Sequence, residues 1–333
     1  MRVRDLRAKN RGARWVMSRY PDVPPYRWMF TFKDSPHPDL KHRVLKALVA
    51  TNLRIATATL RVLPFNVASS VGAAFGTFSG RYRYRKANSV ARANRLRLRP
   101  DLANAEAAIA QHWSNIGRTM AQLSQLDRLF SGNRIVIHDR GHLDTARLQG
   151  RPLIFASVHL GNWEVIPPTL MELGIDFVGA YDIPESSTDH DYVRKARSRY
   201  GVKTLNDDTS GARDALRALQ GGRSILLYVD ELHQRVVNMP RFGRPEPDGG
   251  NVTLVSRLAA LTGAVVVPTY NLRDASGKFH VFFMEPIFPL DSGSRADRVS
   301  SMIQALDATF SPVVLANIDQ WLWLFALDFD RPM

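Results

Sequence analysis

A histidine and a glutamate stand five residues apart in the stretch SVHLGNWEV, Ser157 to Val165. Imidazole titrates near neutral pH, and a carboxylate that accepts from one ring nitrogen fixes the tautomer and raises the basicity of the other. Such a pair is a general base able to take a proton from a hydroxyl. On one continuous helix, residues five apart point about 140° away from each other. His159 and Glu164 therefore meet only if a turn separates them. Gly161 permits a tight turn, and Asn162 is suited to cap the helical turn that holds Glu164. Asn162 and the backbone amides at Gly161 are the candidate donors for a developing oxyanion.

The elements around this stretch must position it. The apolar run at 153–158 reads as a buried strand, which delivers His159 to its carboxyl end. Further apolar runs at 135–137, 177–180, 224–229, 264–270 and 279–284 alternate with helical patterns at 189–200, 210–220 and 251–261. Strands separated by helices imply an α/β fold with a largely parallel central sheet flanked by helices, whose ligands gather at the carboxyl ends of the strands. Asp230 and Glu231 end another strand and line the expected pocket. Pro167 and Pro168 remove amide donors, so Glu164 is expected on a single turn, with the helix proper restarting at the prolines. His138 and His142 have the i,i+4 spacing of metal ligands but surround a glycine, which favours a turn.

Composition and charge narrow the function classes. The 333 residues hold no cysteine, which excludes disulfides, thiol nucleophiles and cysteine-ligated metal centres. The net charge of +14 is unevenly placed. Residues 1–100 carry 22 Lys and Arg against 4 Asp and Glu, whereas the remaining 233 carry 23 against 27. A basic arm of this kind meets phosphate on nucleic acid or on an anionic membrane surface.

The segment Arg43 to Val62 favours lipid. Arg43, Lys46, Arg54 and Arg61 share one narrow helical face, and Val44, Leu48, Leu53, Ile55 and Leu60 fill the opposite arc. The uncharged run from Val62 to Gly80 barely reaches the ~20 residues of a membrane span and is broken by Pro64, Asn66 and three glycines. A peripheral or shallowly inserted segment is expected. The basic run Arg81 to Pro100 has no nucleic-acid-binding signature beside it. The N-terminus lacks the apolar core of a cleavable signal peptide. The expected organisation is a basic arm over 1–42, a helical membrane-associating region over 43–130 and an α/β domain over 131–333.

Taken with their order, these segments resemble the lipid A biosynthesis acyltransferases, the late lauroyl and myristoyl transferases within the broader lysophospholipid acyltransferase group. HLGNWE at 159–164 is similar to the family's catalytic block. ARANRLRLRPDL at 91–102 and IAQHWSNIGRTM at 109–120 resemble the segments before its sheet. Tyr181, ARSRYG at 196–201, YVDE at 228–231, RFG at 241–243, LAALTGAVVVP at 258–268 and DQWLWLF at 319–325 follow in the family's order. The resemblance implies transfer of a fatty acyl group from acyl carrier protein, or from acyl-CoA, to a hydroxyl of a glycolipid acceptor at the cytoplasmic face of the inner membrane. It implies His159 as general base, Glu164 as its orienting partner and Tyr181 in the pocket, with no cofactor and no metal. Arg197 best matches a family arginine and is expected to clamp an acceptor phosphate, with Arg194, Arg199 and Arg241 as further candidates. Tyr181-Asp182-Ile183 and Asp230-Glu231 depart from the family's pattern, which bears on the acceptor.

Two readings from other classes stand beside this one. Asp230, Glu231 and His233 suit a metal-dependent lipid hydrolase, and the basic amphipathic region alone suits a non-catalytic membrane-binding protein. An acyltransferase acting on another phospholipid or glycolipid is the nearer alternative.

Overall fold

A basic helix opens the described residues. The computed structural model describes residues 40–101, 104–131, 133–180, 203–205, 209–233 and 236–329. The basic arm, Tyr181, the helix expected at 189–200 and Arg194, Arg197 and Arg199 lie outside the described residues. Helix α1, Leu40–Val62, is the basic amphipathic helix read from the sequence. It buries Leu53 and Leu60 and exposes Val44, Leu48 and Ile55. Arg61 pairs with Asp127 at 2.8 Å, and Gln125 donates to the carbonyls of Leu60 and Leu63. Those bonds tie the carboxyl end of α1 to the rest of the protein.

Helix α2, Phe65–Phe78, starts behind Pro64, and a short π-helical turn leads to α3, Arg85–Leu98. Both pack against α4, Ala105–Gln122. The α2–α4 crossing is close because glycines meet there. A methyl group on Gly117 would stand 2.0 Å from the Gly72 carbonyl oxygen. Side chains on α2 divide between Phe65, Ala68 and Ala73 facing α4 and Val67, Val71 and Phe78 facing outward. The uncharged segment at 62–80 is thus a surface helix with one face packed.

The sheet follows. Strands β1 (Ile135–His138), β2 (Leu153–Ser157), β3 (Phe177–Ala180), β4 (Lys203–Leu205), β5 (Ser224–Tyr228), β8 (Val265–Arg273) and β9 (Phe279–Phe283) form one sheet in the order β1-β9-β8-β2-β5-β3-β4. Pairing is parallel everywhere except between β8 and β9. Strands β6 (Leu232–His233) and β7 (Val236–Val237) make a separate two-stranded ribbon. The intervening helices are α5 (Leu126–Ser131), α6 (Arg140–Leu148), α7 (Ile166–Glu172), α8 (Thr209–Gln220), α9 (Gly250–Thr262) and α10 (Arg295–Ala316). The expected α/β architecture with a largely parallel central sheet is therefore present. One apolar core runs from Phe65 and Trp113 of the N-terminal helices through Phe155 and Phe283 of the sheet to Trp321.

Among the described residues, α10 is the one helix long and apolar enough to cross a membrane. It lies against α9 and buries Met302, Ile303, Leu306, Phe310 and Val314 in the same core.

Candidate active site

Strand β2 is wholly buried, as a run of LIFAS between two parallel neighbours should be. His159 leaves its carboxyl end two residues later. The following backbone is pinned from the far end of the chain: the Leu322 amide donates to the His159 carbonyl at 2.9 Å, and Leu160 bridges Trp321. Gly161 then turns the chain at φ +61°, with its side-chain direction closed by both oxygens of Asn271 at 2.7 Å. Only glycine fits there on either ground. Asn162 caps a single 3₁₀ turn, Trp163–Val165, by accepting from the Glu164 amide, and α7 starts behind it with the two prolines in its first turn. The break expected at Pro167 is thus seen.

Asp230 stands just beyond β5, the strand beside β2, and is fully buried. Its Oδ1 lies 2.7 Å from His159 Nδ1. Its Oδ2 accepts from the His159 backbone amide at 2.7 Å and from the Trp321 indole at 2.9 Å. An ionised carboxylate only accepts, so the ring proton sits on Nδ1 and Nε2 keeps the lone pair. The Trp323 indole also approaches Nδ1, at 3.3 Å, but the shorter charge-assisted bond governs the tautomer. Tyr228, Trp163 and Trp323 enclose the ring at centroid distances of 4.5, 5.3 and 5.4 Å. Tyr228 is held in turn by its hydroxyl donating to the Trp163 carbonyl at 2.6 Å.

This arrangement corrects the sequence reading in two places. Glu164 was expected to orient the imidazole, and Asp230 occupies that position because β5 runs directly alongside β2; no described hydrogen bond joins His159 to Glu164, which is buried one short turn away. Asn162 and the Gly161 amide were expected as oxyanion donors. The Asn162 amide donates to Asn271, its side chain donates to Gln122, and the Gly161 amide donates to the Gln320 carbonyl. Asn162 is fully buried, so these groups hold the turn. Arg241 was a candidate phosphate ligand. Its Nε donates to the carbonyls of Arg244 and Pro245, and its amide to Asp307.

Other expected residues are spread out. Glu231 is half-buried beside Asp230. His138 ends β1 and contacts His280, which reaches Asp274, while His142 lies in the first turn of α6 and bonds the Phe283 carbonyl. Among the described residues no three His, Asp or Glu gather as a metal site.

Residues that the sequence did not single out build the rear of the site. Arg273, the last residue of β8, is buried and donates to Asn115, Thr119 and Gln122 of α4. Thr119 donates onward to the Gly161 carbonyl, and Gln122 accepts from Asn162. Only the three-dimensional meeting of α4, β8 and the segment at 317–323 exposes this network, since their separations in sequence exceed forty residues.

A family model for bacterial lipid A biosynthesis acyltransferases matches residues 36–327. Among solved structures, the 1-acyl-sn-glycerophosphate (LPA) acyltransferase PlsC from Thermotoga maritima is similar over 81% of this chain and 97% of its own, with 13% identity and a TM-score of 0.34. A search of curated proteins gave no significant match.

Proposed function

This chain belongs to the bacterial lipid A biosynthesis acyltransferase family, and from that membership we propose that it moves a fatty acyl chain from acyl carrier protein, or coenzyme A, to a hydroxyl of a lipid A precursor or similar glycolipid. It is an acyl-transferring enzyme. The observation that best supports the finer reading is the His159–Asp230 pair at the carboxyl end of the central strand. Asp230 keeps the proton on Nδ1, and Nε2 takes the proton of the acceptor hydroxyl as its oxygen attacks the thioester carbonyl. The carbon–sulfur bond then breaks, and the imidazolium gives its proton to the departing thiolate, which restores the neutral base. One ester and one free thiol result. Without cysteine in the chain, direct transfer within a ternary complex is the simplest course.

Glu164, buried on the short turn that follows His159, is proposed as a positioning residue of the same site. Acceptor phosphate recognition is proposed for Arg197, with Arg194 and Arg199, and Tyr181 for the pocket. Attachment is proposed to the cytoplasmic face of the inner membrane, through the exposed apolar side chains Ile55, Val62, Val71 and Phe78 and the exposed cations Arg43 and Arg54. The test is incubation of the purified chain with a thioester donor and a hydroxylated glycolipid, followed by mass spectrometry. Appearance of the acylated lipid together with free thiol supports the reading. Release of free fatty acid without an acylated product contradicts it.

A further inference from the structure

A cavity of about 430 Å³ opens on the far side of the catalytic turn, between α4, the end of β8 and the segment that follows α10. Its wall includes Asn115, Arg118, Arg273, Asn317 and Gln320. Two arginines thus line one space. The described hydrogen bonds of Arg273 go to the neutral oxygens of Asn115, Thr119 and Gln122, and its Nε has no partner. Arg118 donates to the Ser69 hydroxyl. Among the described residues neither arginine is within ion-pair distance of a carboxylate. Burial and the nearby Arg118 charge push the Arg273 guanidinium down to about 9. A buried cation left without an anion is costly, and a bound anion relieves that cost.

Two carboxylates also line the cavity, and both are committed. Asp274 accepts from His280, Ser276 and the Lys278 amide, and Asp319 pairs with Arg95 at 3.3 Å. With Asp319 paired to Arg95, the charges of Arg118 and Arg273 stand against the single carboxylate of Asp274, which leaves a surplus of one positive charge. The neutral lining amides are already engaged, Asn115 with the Asp319 carbonyl, Asn317 with the Val313 carbonyl and Gln320 with the Arg273 backbone, so the two arginines are the groups an anion would meet.

We propose that this cavity binds a phosphate monoester or inorganic phosphate through Arg273 and Arg118. Planar guanidinium groups match phosphate oxygens in pairs. The site is distinct from the His159 pocket yet coupled to it. Gln320 clasps the Arg273 backbone at 2.9 and 3.0 Å and accepts from the Gly161 amide through its own carbonyl. An occupant therefore firms the turn that carries His159. The inference stands apart from acyl transfer, and its test measures binding alone.

The full chain would be titrated with inorganic phosphate by calorimetry, and mixed with neutral-lipid vesicles carrying a phosphate-monoester lipid or, as a control, an anionic phosphodiester lipid. Binding in at least one arm is expected, weakened about tenfold or more in Arg118→Gln and partly restored in Arg118→Lys, because a charged hydrogen-bonded contact is lost. Arg118 is only half-buried, whereas Arg273 is buried, so Arg118→Gln is the variant that disturbs the fold less. Arg92→Gln, which removes an exposed arginine paired with Glu106, should bind as the parent does. Selective binding of the monoester vesicles assigns a lipid headgroup, and binding of inorganic phosphate assigns a soluble phosphate. Absence of binding in both arms, or equal affinity in the parent and Arg118→Gln, overturns the proposal.

Discussion

Nδ1 of His159 and Oδ1 of Asp230 lie 2.7 Å apart, and the second oxygen of the same carboxylate takes the histidine's own backbone amide. One fully buried side chain therefore sets both the tautomer of the ring and the position of the backbone that carries it. Asp230→Asn keeps the volume but can present an N–H to Nδ1, which drives the proton to Nε2 and removes the base. A loss of about 10²-fold or more in kcat is expected, with a smaller change in KM. Steady-state kinetics of acyl transfer check this. A variant with near-parental kcat would show that Asp230 serves the fold alone.

Gly161 is held at φ +61° against the oxygens of Asn271. The left-handed backbone alone costs another residue about 1–2 kcal/mol, and a methyl group 2.7 Å from two oxygens forces the turn to move. Gly161→Ala is expected to lower both thermal stability and turnover. Loss of turnover with an unchanged melting temperature would mean that the turn adjusts without strain.

His112 provides a test of the core that is independent of catalysis. It is fully buried on α4, lies against Trp113 and Phe325, and neither ring nitrogen has a hydrogen-bond partner among the described residues. Burial lowers its pKa from 6.5 to about 3. The unfolded chain therefore binds a proton between those values while the native one does not, and stability falls as pH drops through that window. The slope from this group is about 1 kcal/mol per pH unit. His112→Leu should flatten the dependence between about pH 6 and pH 4 in denaturant titrations; an equally steep fall in the variant would place the acid sensitivity elsewhere.

The membrane attachment proposed for α1 and α2 would combine two forces with different salt responses. Each Lys or Arg near an anionic surface contributes about 1 kcal/mol, and this part is screened. The exposed apolar side chains Ile55, Val71 and Phe78 are not affected in that way. High salt should release part of the protein from membrane fractions, and Phe78→Ser together with Val71→Ser should make release nearly complete. Full recovery in the soluble fraction at low salt would contradict the arrangement.

The parts legible in the sequence are those fixed by local pattern. The run at 153–158 could be read as a buried strand because it is apolar throughout, and Pro167-Pro168 announced the broken turn before α7. The partner of His159 was not legible in the same way. Asp230 lies seventy-one residues away, and only the adjacency of β5 to β2 brings it to Nδ1, whereas Glu164 was near in sequence and of the right type. Asn162 misled for a related reason: its amide chemistry suits an oxyanion, but Asn271 and Gln122 arrive from β8 and α4 to consume it. Arg273 carried no sequence signal at all, since a single arginine ending a strand is ordinary until its neighbours prove to be uncharged.

His159 itself offers the most direct test. His159→Ala retains the backbone amide bonded to Asp230 and the carbonyl bonded to Leu322, so the turn can persist without the ring. Initial rates of acyl transfer would be measured for parent and variant with the same donor and acceptor, after matching their circular dichroism. A fall of at least about 10²-fold with the fold retained is expected of a lost general base. Transfer at a near-parental rate by the folded variant would contradict the assignment of His159 as the base.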